Sequence, residues 1–184
     1  MKVPTFVAMD FETADHGRDS ACAVGIVKVR GTSIISEACY LIRPPRREFR
    51  FTHIHGITWR HVEKQPRFRE IWLRIRPYLQ DADFLTAHNA AFDRGVMTAC
   101  CQSARLRPPK IEFLCTVKLA RETLGIRPAN LRAVCERLGL PLNHHEPLSD
   151  ARACAGIVIR AIEEGKVAGL AMLKGYSSGS IGKL

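Results

Sequence analysis

Hydrophobic and polar positions change period partway along the chain. Thr5–Met9 is a compact apolar run of strand-forming residues that ends at Asp10. Ala21–Val29 reads as a second strand, with small and apolar residues around Gly25, and Ser33–Ile42 as a third. The Val29–Ser33 segment, with Gly31 at its centre, supplies the turn between them, so the opening third of the chain is predicted to be an antiparallel meander. Pro44-Pro45 then breaks the pattern, flanked by Arg43, Arg46, Arg47 and Arg50.

From Phe68 the spacing becomes helical. Phe68, Ile71, Trp72, Ile75, Tyr78 and Leu79 share one face, with Arg67, Arg69, Arg74 and Arg76 elsewhere on that helix. Phe84–Ala87 is a short buried strand, and Asn89 caps a helix running to about Ala104. Further helices are predicted over Thr116–Leu124, Ala129–Leu138 and Pro147–Glu164, with Gly125, Gly139 and Gly165 just past their ends. Strands first, then strand and helices in alternation, describe an α/β domain with a mixed sheet. The domain is expected to span residues 1–165, with 166–184 a Gly- and Ser-rich tail, mobile in part.

Composition narrows the classes. The 184 residues suffice for one domain with a full core, and 46% hydrophobic with 25% charged residues is ordinary for a globular protein. No apolar run is long enough to span a bilayer, and the opening segment lacks the long apolar stretch of a secretion signal. A cytoplasmic location without membrane contact is expected. Seven cysteines, odd in number and without a CxxC pair, argue against a disulfide framework and a thiolate zinc site. The 28 Lys and Arg against 18 Asp and Glu give a net charge of +10, which attracts polyanions, nucleic acid above all.

Three segments carry candidate chemistry. On a strand, Asp10 and Glu12 point to one face and Phe11 to the other, so two carboxylates stand side by side. A hard divalent cation such as Mg²⁺ or Mn²⁺ would relieve their repulsion; plain solvation at a strand end would too. His88-Asn89-Ala90-Ala91-Phe92-Asp93 puts a third acid in the first turn of a helix, where the helix dipole alone also favours it. His145-Glu146-Pro147-Leu148-Ser149-Asp150 puts a histidine just before the last helix and a fourth acid within its first turn.

In this order, strand-D-x-E, H-N-x-x-F-D and H-x-x-x-x-D resemble the DEDDh exonucleases. That group includes the proofreading subunit of the bacterial replicative polymerase, RNase T and oligoribonuclease. The resemblance runs from about Val3 to Glu164. Ile54-His55-Gly56-Ile57-Thr58 and Cys115-Thr116-Val117-Lys118-Leu119-Ala120-Arg121 also look like family segments.

The resemblance implies an RNase H-like fold, a mixed five-stranded sheet with an antiparallel second strand and helices on its faces. It implies 3′→5′ removal of nucleoside 5′-monophosphates from nucleic acid 3′ ends, single-stranded ones above all. Two cations about 3.5–4 Å apart would activate water and stabilise the leaving oxygen. Asp10, Glu12, Asp93 and Asp150 would hold the metals, with Asp10 bridging, and His145 would be the general base. His144 is one residue outside the H-x-x-x-x-D spacing, and neither His144-His145 nor His53 with His55 has the spacing of a strong zinc signature.

The terminal nucleotide would meet Thr13, Ala14, Phe11, His55 and Ile57. Phe92 would join them or, by the stronger reading, form core behind Asp93; Asn89 would bond substrate or cap its helix. The Arg43–Arg50 cluster would track phosphates or remain a solvated loop. DNA is the first expectation, an exoribonuclease the alternative, and an inactive nucleic-acid-binding module the second alternative. A stand-alone repair or turnover role is expected ahead of a stable replisome subunit. Homodimer formation and association with a polymerase are left open.

Overall fold

In the computed structural model, residues 3–166 are described; the expected tail, beyond Lys166, lies outside them. The strands are β1 (Thr5–Thr13), β2 (Ala21–Arg30), β3 (Ser33–Leu41), β4 (Phe84–Ala87) and β5 (Phe113–Cys115). They form one sheet in the order β3-β2-β1-β4-β5. β1/β2 and β2/β3 are antiparallel, whereas β1/β4 and β4/β5 are parallel. This is the mixed five-stranded sheet with an antiparallel second strand that the resemblance implied.

The helices are α1 (Thr52–His55), α2 (Trp59–Val62), α3 (Phe68–Leu79), α4 (Ala90–Ser103), α5 (Thr116–Glu122), α6 (Leu131–Leu138) and α7 (Pro147–Glu163). Side chains alternate along β1, so Phe6 and Ala8 join the core under α5, α6 and α7 while Val7, Met9 and Phe11 join the core under α3 and α4. Asp10 and Glu12 continue the Phe6–Ala8 row and therefore face α7. Burying each large apolar side chain contributes about 1.5–3 kcal/mol, enough to set which face of β1 goes where.

Three expectations need correction. β1 continues through Asp10 and Glu12, because each has a β2 partner, Gly25 and Ala23 respectively. The periodicity missed β5 and the one-turn helices α1 and α2, which are too short to show a period. Asn89 stands at the start of α4, but its side chain makes no capping bond; its backbone is left-handed, with φ 72°. A true side-chain cap starts α6, where Asn130 Oδ1 accepts from the Ala133 N–H at 3.0 Å. Gly139 ends that helix with φ 64°, a conformation few other residues adopt cheaply. No helix among the described residues is long and apolar enough to cross a membrane.

Candidate active site

Three elements deliver the four acids to one place. β1 presents Asp10 and Glu12 toward α7, the first turn of α4 presents Asp93, and the first turn of α7 presents Asp150. Asp93 and Asp150 are 2% and 3% exposed, and Asp10 and Glu12 partly exposed. Asp93 Oδ1 accepts the Phe11 N–H at 3.0 Å, pinning α4 to the strand between the two β1 acids.

Their electrostatics report the convergence. Burial pushes the Asp10 carboxyl well above its ordinary range, and the negative charges of Asp93, Glu12 and Asp150 push it further. Glu12 rises to about 8 through burial and then Asp150 and Asp93. Asp93 rises to about 7 through burial, opposed by the bond from Phe11.

The turn before α7 is tied down by its own helix. Glu146 carboxylate accepts from the Ser149 N–H at 2.8 Å, and Ser149 Oγ accepts from the Asn143 N–H at 2.7 Å. Asp150 Oδ2 takes the His145 N–H at 3.1 Å and bonds His144 Nδ1 at 2.9 Å. His145 is left-handed, with φ 71°, a strained state for a residue with a Cβ that these bonds hold in place. Its ring stacks on His144 with centroids 3.8 Å apart.

A family model described as exonuclease, of the RNase T type, matches residues 7–158. The chain belongs to the DEDDh exonuclease family. It is 34% identical over 173 residues to the PolC-type DNA polymerase III of Thermotoga maritima, covering 92% of this chain and 13% of that protein. It thus spans about an eighth of the length of such relatives. Among solved structures, exonuclease X in complex with 5′-overhanging duplex DNA is 25% identical with TM-score 0.70, covering 88% of this chain and 93% of that one. The nuclease domain of 3′hExo, a DEDDh family member bound to rAMP, is 18% identical with TM-score 0.75, covering 89% and 94%. That second likeness shows the fold.

DEDDh exonucleases use divalent metal ions, and this donor set fits them. Four carboxylates converge, three with pKa values raised by burial, a cost that a bound cation would relieve, and Asp150 Oδ1 is buried without a hydrogen-bond partner. A pH dependence follows. Because the folded values of Asp93 and Glu12 lie above their ordinary 3.8 and 4.5, these groups stabilise the fold most below the ordinary values. That stability is lost as pH rises through about 7 and about 8. Melting of the metal-free exonuclease should therefore fall between about pH 5 and about pH 9, and Mg²⁺ or Mn²⁺ should flatten the slope. A melting temperature that rises over this interval without metal would contradict the acidic cluster.

The expected substrate residues divide. His55 donates from Nε2 to the Thr13 carbonyl at 3.1 Å and accepts the Ile57 N–H on Nδ1 at 3.0 Å, which defines its neutral tautomer. His55 and Ile57 line an open groove of about 440 Å³ together with Ile54, His144 and His145. Thr13 is buried at the end of β1, and Asn89 is exposed at the start of α4.

Phe11 and Ala14 do not reach that groove with their side chains. Phe11 is 3% exposed in the core beneath α3 and α4, and Ala14 is fully buried, its N–H and carbonyl bonded to Ser20 and Arg50. Phe92 departs from its expected core role in the other direction. It is 37% exposed, with the Arg18 guanidinium 5.8 Å from its ring, because position 92 faces outward on α4 while Asp93 faces in.

The arginine cluster is already engaged. Arg46 makes forked bonds to Asp15 and Asp19, with Nε to Asp15 Oδ2 at 2.8 Å and Nη2 to Asp19 Oδ1 at 2.6 Å. Arg50 pairs with Glu48, and Arg47 lies over Trp59. Arg46 thereby ties its loop to the segment after β1 through two acids distant in sequence, whereas Glu48 is a near neighbour of Arg50.

The residue that sequence reading overlooked is Gly25. It sits opposite Asp10 on β2, and a Cβ there would lie 2.0 Å from the Pro147 carbonyl oxygen and 2.6 Å from the Leu148 nitrogen. The missing side chain lets the start of α7, and with it Asp150, settle against the sheet beside Asp10. A glycine alone inside an apolar strand was the available signal. Gly25→Ala should shift α7 outward and lower turnover about 100-fold, the usual consequence of misplacing a reacting group by roughly 1 Å. It should also lower stability by about 1–3 kcal/mol. Single-turnover rates beside thermal melts check this; wild-type rates in a Gly25→Ala protein would show that the close approach is unnecessary.

Proposed function

We propose that this chain hydrolyses the terminal phosphodiester at the 3′ end of DNA, with single strands the preferred form, and releases nucleoside 5′-monophosphates. Asp10, Glu12, Asp93 and Asp150 hold two divalent cations, Mg²⁺ or Mn²⁺, and His145 accepts the proton of the attacking water. The reading rests chiefly on one observation: acids from three separate segments converge, so that Asp93 and Asp150 raise the pKa of buried Asp10 and Glu12, beside a histidine held in a strained turn.

The chemistry assigns a task to each group. A phosphodiester is anionic and repels a nucleophile, and the bound cations supply the neutralising charge for the attacking and leaving oxygens. The carboxylates fix where that charge sits, and the rigid attachment of Asp93 to the Phe11 N–H keeps the fourth donor from drifting. Burial, followed by the neighbouring His144, lowers the pKa of His145, so its imidazole stays neutral and able to take a proton near neutral pH. His55 and Ile57 form the wall for the terminal sugar and base, and exposed Phe92 with Arg18 offers a face and a charge to the incoming strand. DNA is favoured because relatives matched over most of this chain carry DNA polymerase names and exonuclease X is described with duplex DNA.

The test is cleavage of 5′-labelled DNA and RNA strands of one sequence, with Mg²⁺, Mn²⁺ or chelator. Stepwise shortening of DNA that stops with chelator supports the proposal. Faster shortening of RNA assigns the exoribonuclease reading, and retarded but uncut strands assign a binding module.

A further inference from the structure

We infer that His144, His145 and Asp150 form a second, overlapping site for a borderline transition-metal ion, zinc above all, whose occupation withdraws Asp150 and His145 from hydrolysis. The inference rests on the proposed roles of those two residues. What carries it is the arrangement of donors, which the spacing of the two histidines in the sequence did not reveal.

Each of the three residues offers one ligand atom, and these atoms lie within 4.8 Å of one another. The tightest pair, His144 Nδ1 and Asp150 Oδ2, is 2.9 Å apart. Around a tetrahedral zinc with bonds of about 2.0–2.1 Å, neighbouring donors stand about 3.4 Å apart, so this pair opens slightly and the third ligand closes in. Both histidines sit in the turn before α7 and are half-buried, and they border the open groove of about 440 Å³. An ion and a fourth, water ligand therefore have a way in.

Donor chemistry separates this site from its neighbour. Asp10, Glu12 and Asp93 are oxygen donors, which suit Mg²⁺ and Mn²⁺; two imidazoles and a carboxylate suit zinc, nickel or copper. Asp150 is the donor common to both sets. Its Oδ2 already faces His144, whereas Oδ1 is buried without a partner. A zinc ion on the His144 side competes for this carboxylate and occupies the imidazole of His145 at the same time. His144 then acts as the selector of the inhibitory ion.

Zinc binding is measured first on the intact protein, by competition with a chromophoric chelator and by the visible absorption of Co²⁺ as a tetrahedral probe. One zinc should bind per chain. His144→Gln should weaken binding at least about tenfold, since even partners outside the ligand set carry that much metal affinity. His145→Gln should weaken it likewise in the binding assay. In cleavage assays with Mg²⁺, the zinc concentration that halves each protein's own zinc-free rate should rise in His144→Gln by the same factor. Zinc affinity indifferent to His144→Gln overturns the site, and so does zinc that supports cleavage in place of Mg²⁺. Tight, His144-dependent zinc that leaves the Mg²⁺ rate untouched overturns the inhibition. Absence of Mg²⁺- or Mn²⁺-dependent cleavage in the zinc-free wild type overturns the hydrolase reading, and leaves the binding assays to judge the site independently.

Discussion

Asp10→Ala should lower turnover by about 10²–10³-fold while the metal-free protein melts at a higher temperature. The two effects have one cause. Burial, and then the charges of Asp93, Glu12 and Asp150, make an ionised Asp10 costly in the absence of cations. Alanine removes that cost from the folded state and relieves Glu12 and Asp93 as well. The same substitution removes one of the four proposed cation donors, and losing one strong, preorganised electrostatic contact typically costs about 10²–10³-fold in rate. Steady-state cleavage beside thermal melts with chelator checks both. Near wild-type turnover would sink the proposed site, and a lowered melting temperature would show that Asp10 makes structural bonds outweighing the repulsion.

The second large effect separates the adjacent histidines. His145→Ala should slow hydrolysis about 10²–10⁴-fold, the range for loss of a positioned general base, whereas His144→Ala should change the rate with Mg²⁺ by less than about twofold. Geometry makes this a real contest, because it is His144 whose ring bonds Asp150 at 2.9 Å. That bond takes Asp150 Oδ2 and leaves Oδ1 for a proposed cation. His145 is held by its backbone N–H instead, leaving its imidazole for a proton. Burial and then His144 lower the His145 pKa, so the acid limb of the rate should fall below the ordinary histidine value of 6.5. In His144→Ala that limb should move up, because the neighbour that lowers the His145 pKa has gone. Equal losses in both variants would leave no ground for choosing His145.

These outcomes depend on information present in the chain to different degrees. Four of the sheet's five strands, the helical face from Phe68 to Leu79, and the start of α7 at Pro147 follow from local periodicity and capping, which act over a few residues. The pairing of Asp10 and Glu12 on one face follows from strand alternation alone. Ordered motifs added Asp93, His145 and Asp150, although the motifs carried no measure of distance. β5 escaped because three residues make no period, and α1 and α2 because four make little more.

By itself, then, the sequence determined which faces of β1 would be apolar and acidic and where α4 and α7 would begin, since near neighbours in the chain dictate those features. Only the tertiary structure decided that Gly25 would admit the Pro147 backbone, that Arg46 would be spent on Asp15 and Asp19, and that Phe92 would face outward. It likewise decided that His144, rather than the ring of His145, would take Asp150. Each of these is a close contact between groups that packing brings together, and excluded volume and hydrogen-bond geometry act at ångström range, which spacing along a chain does not encode.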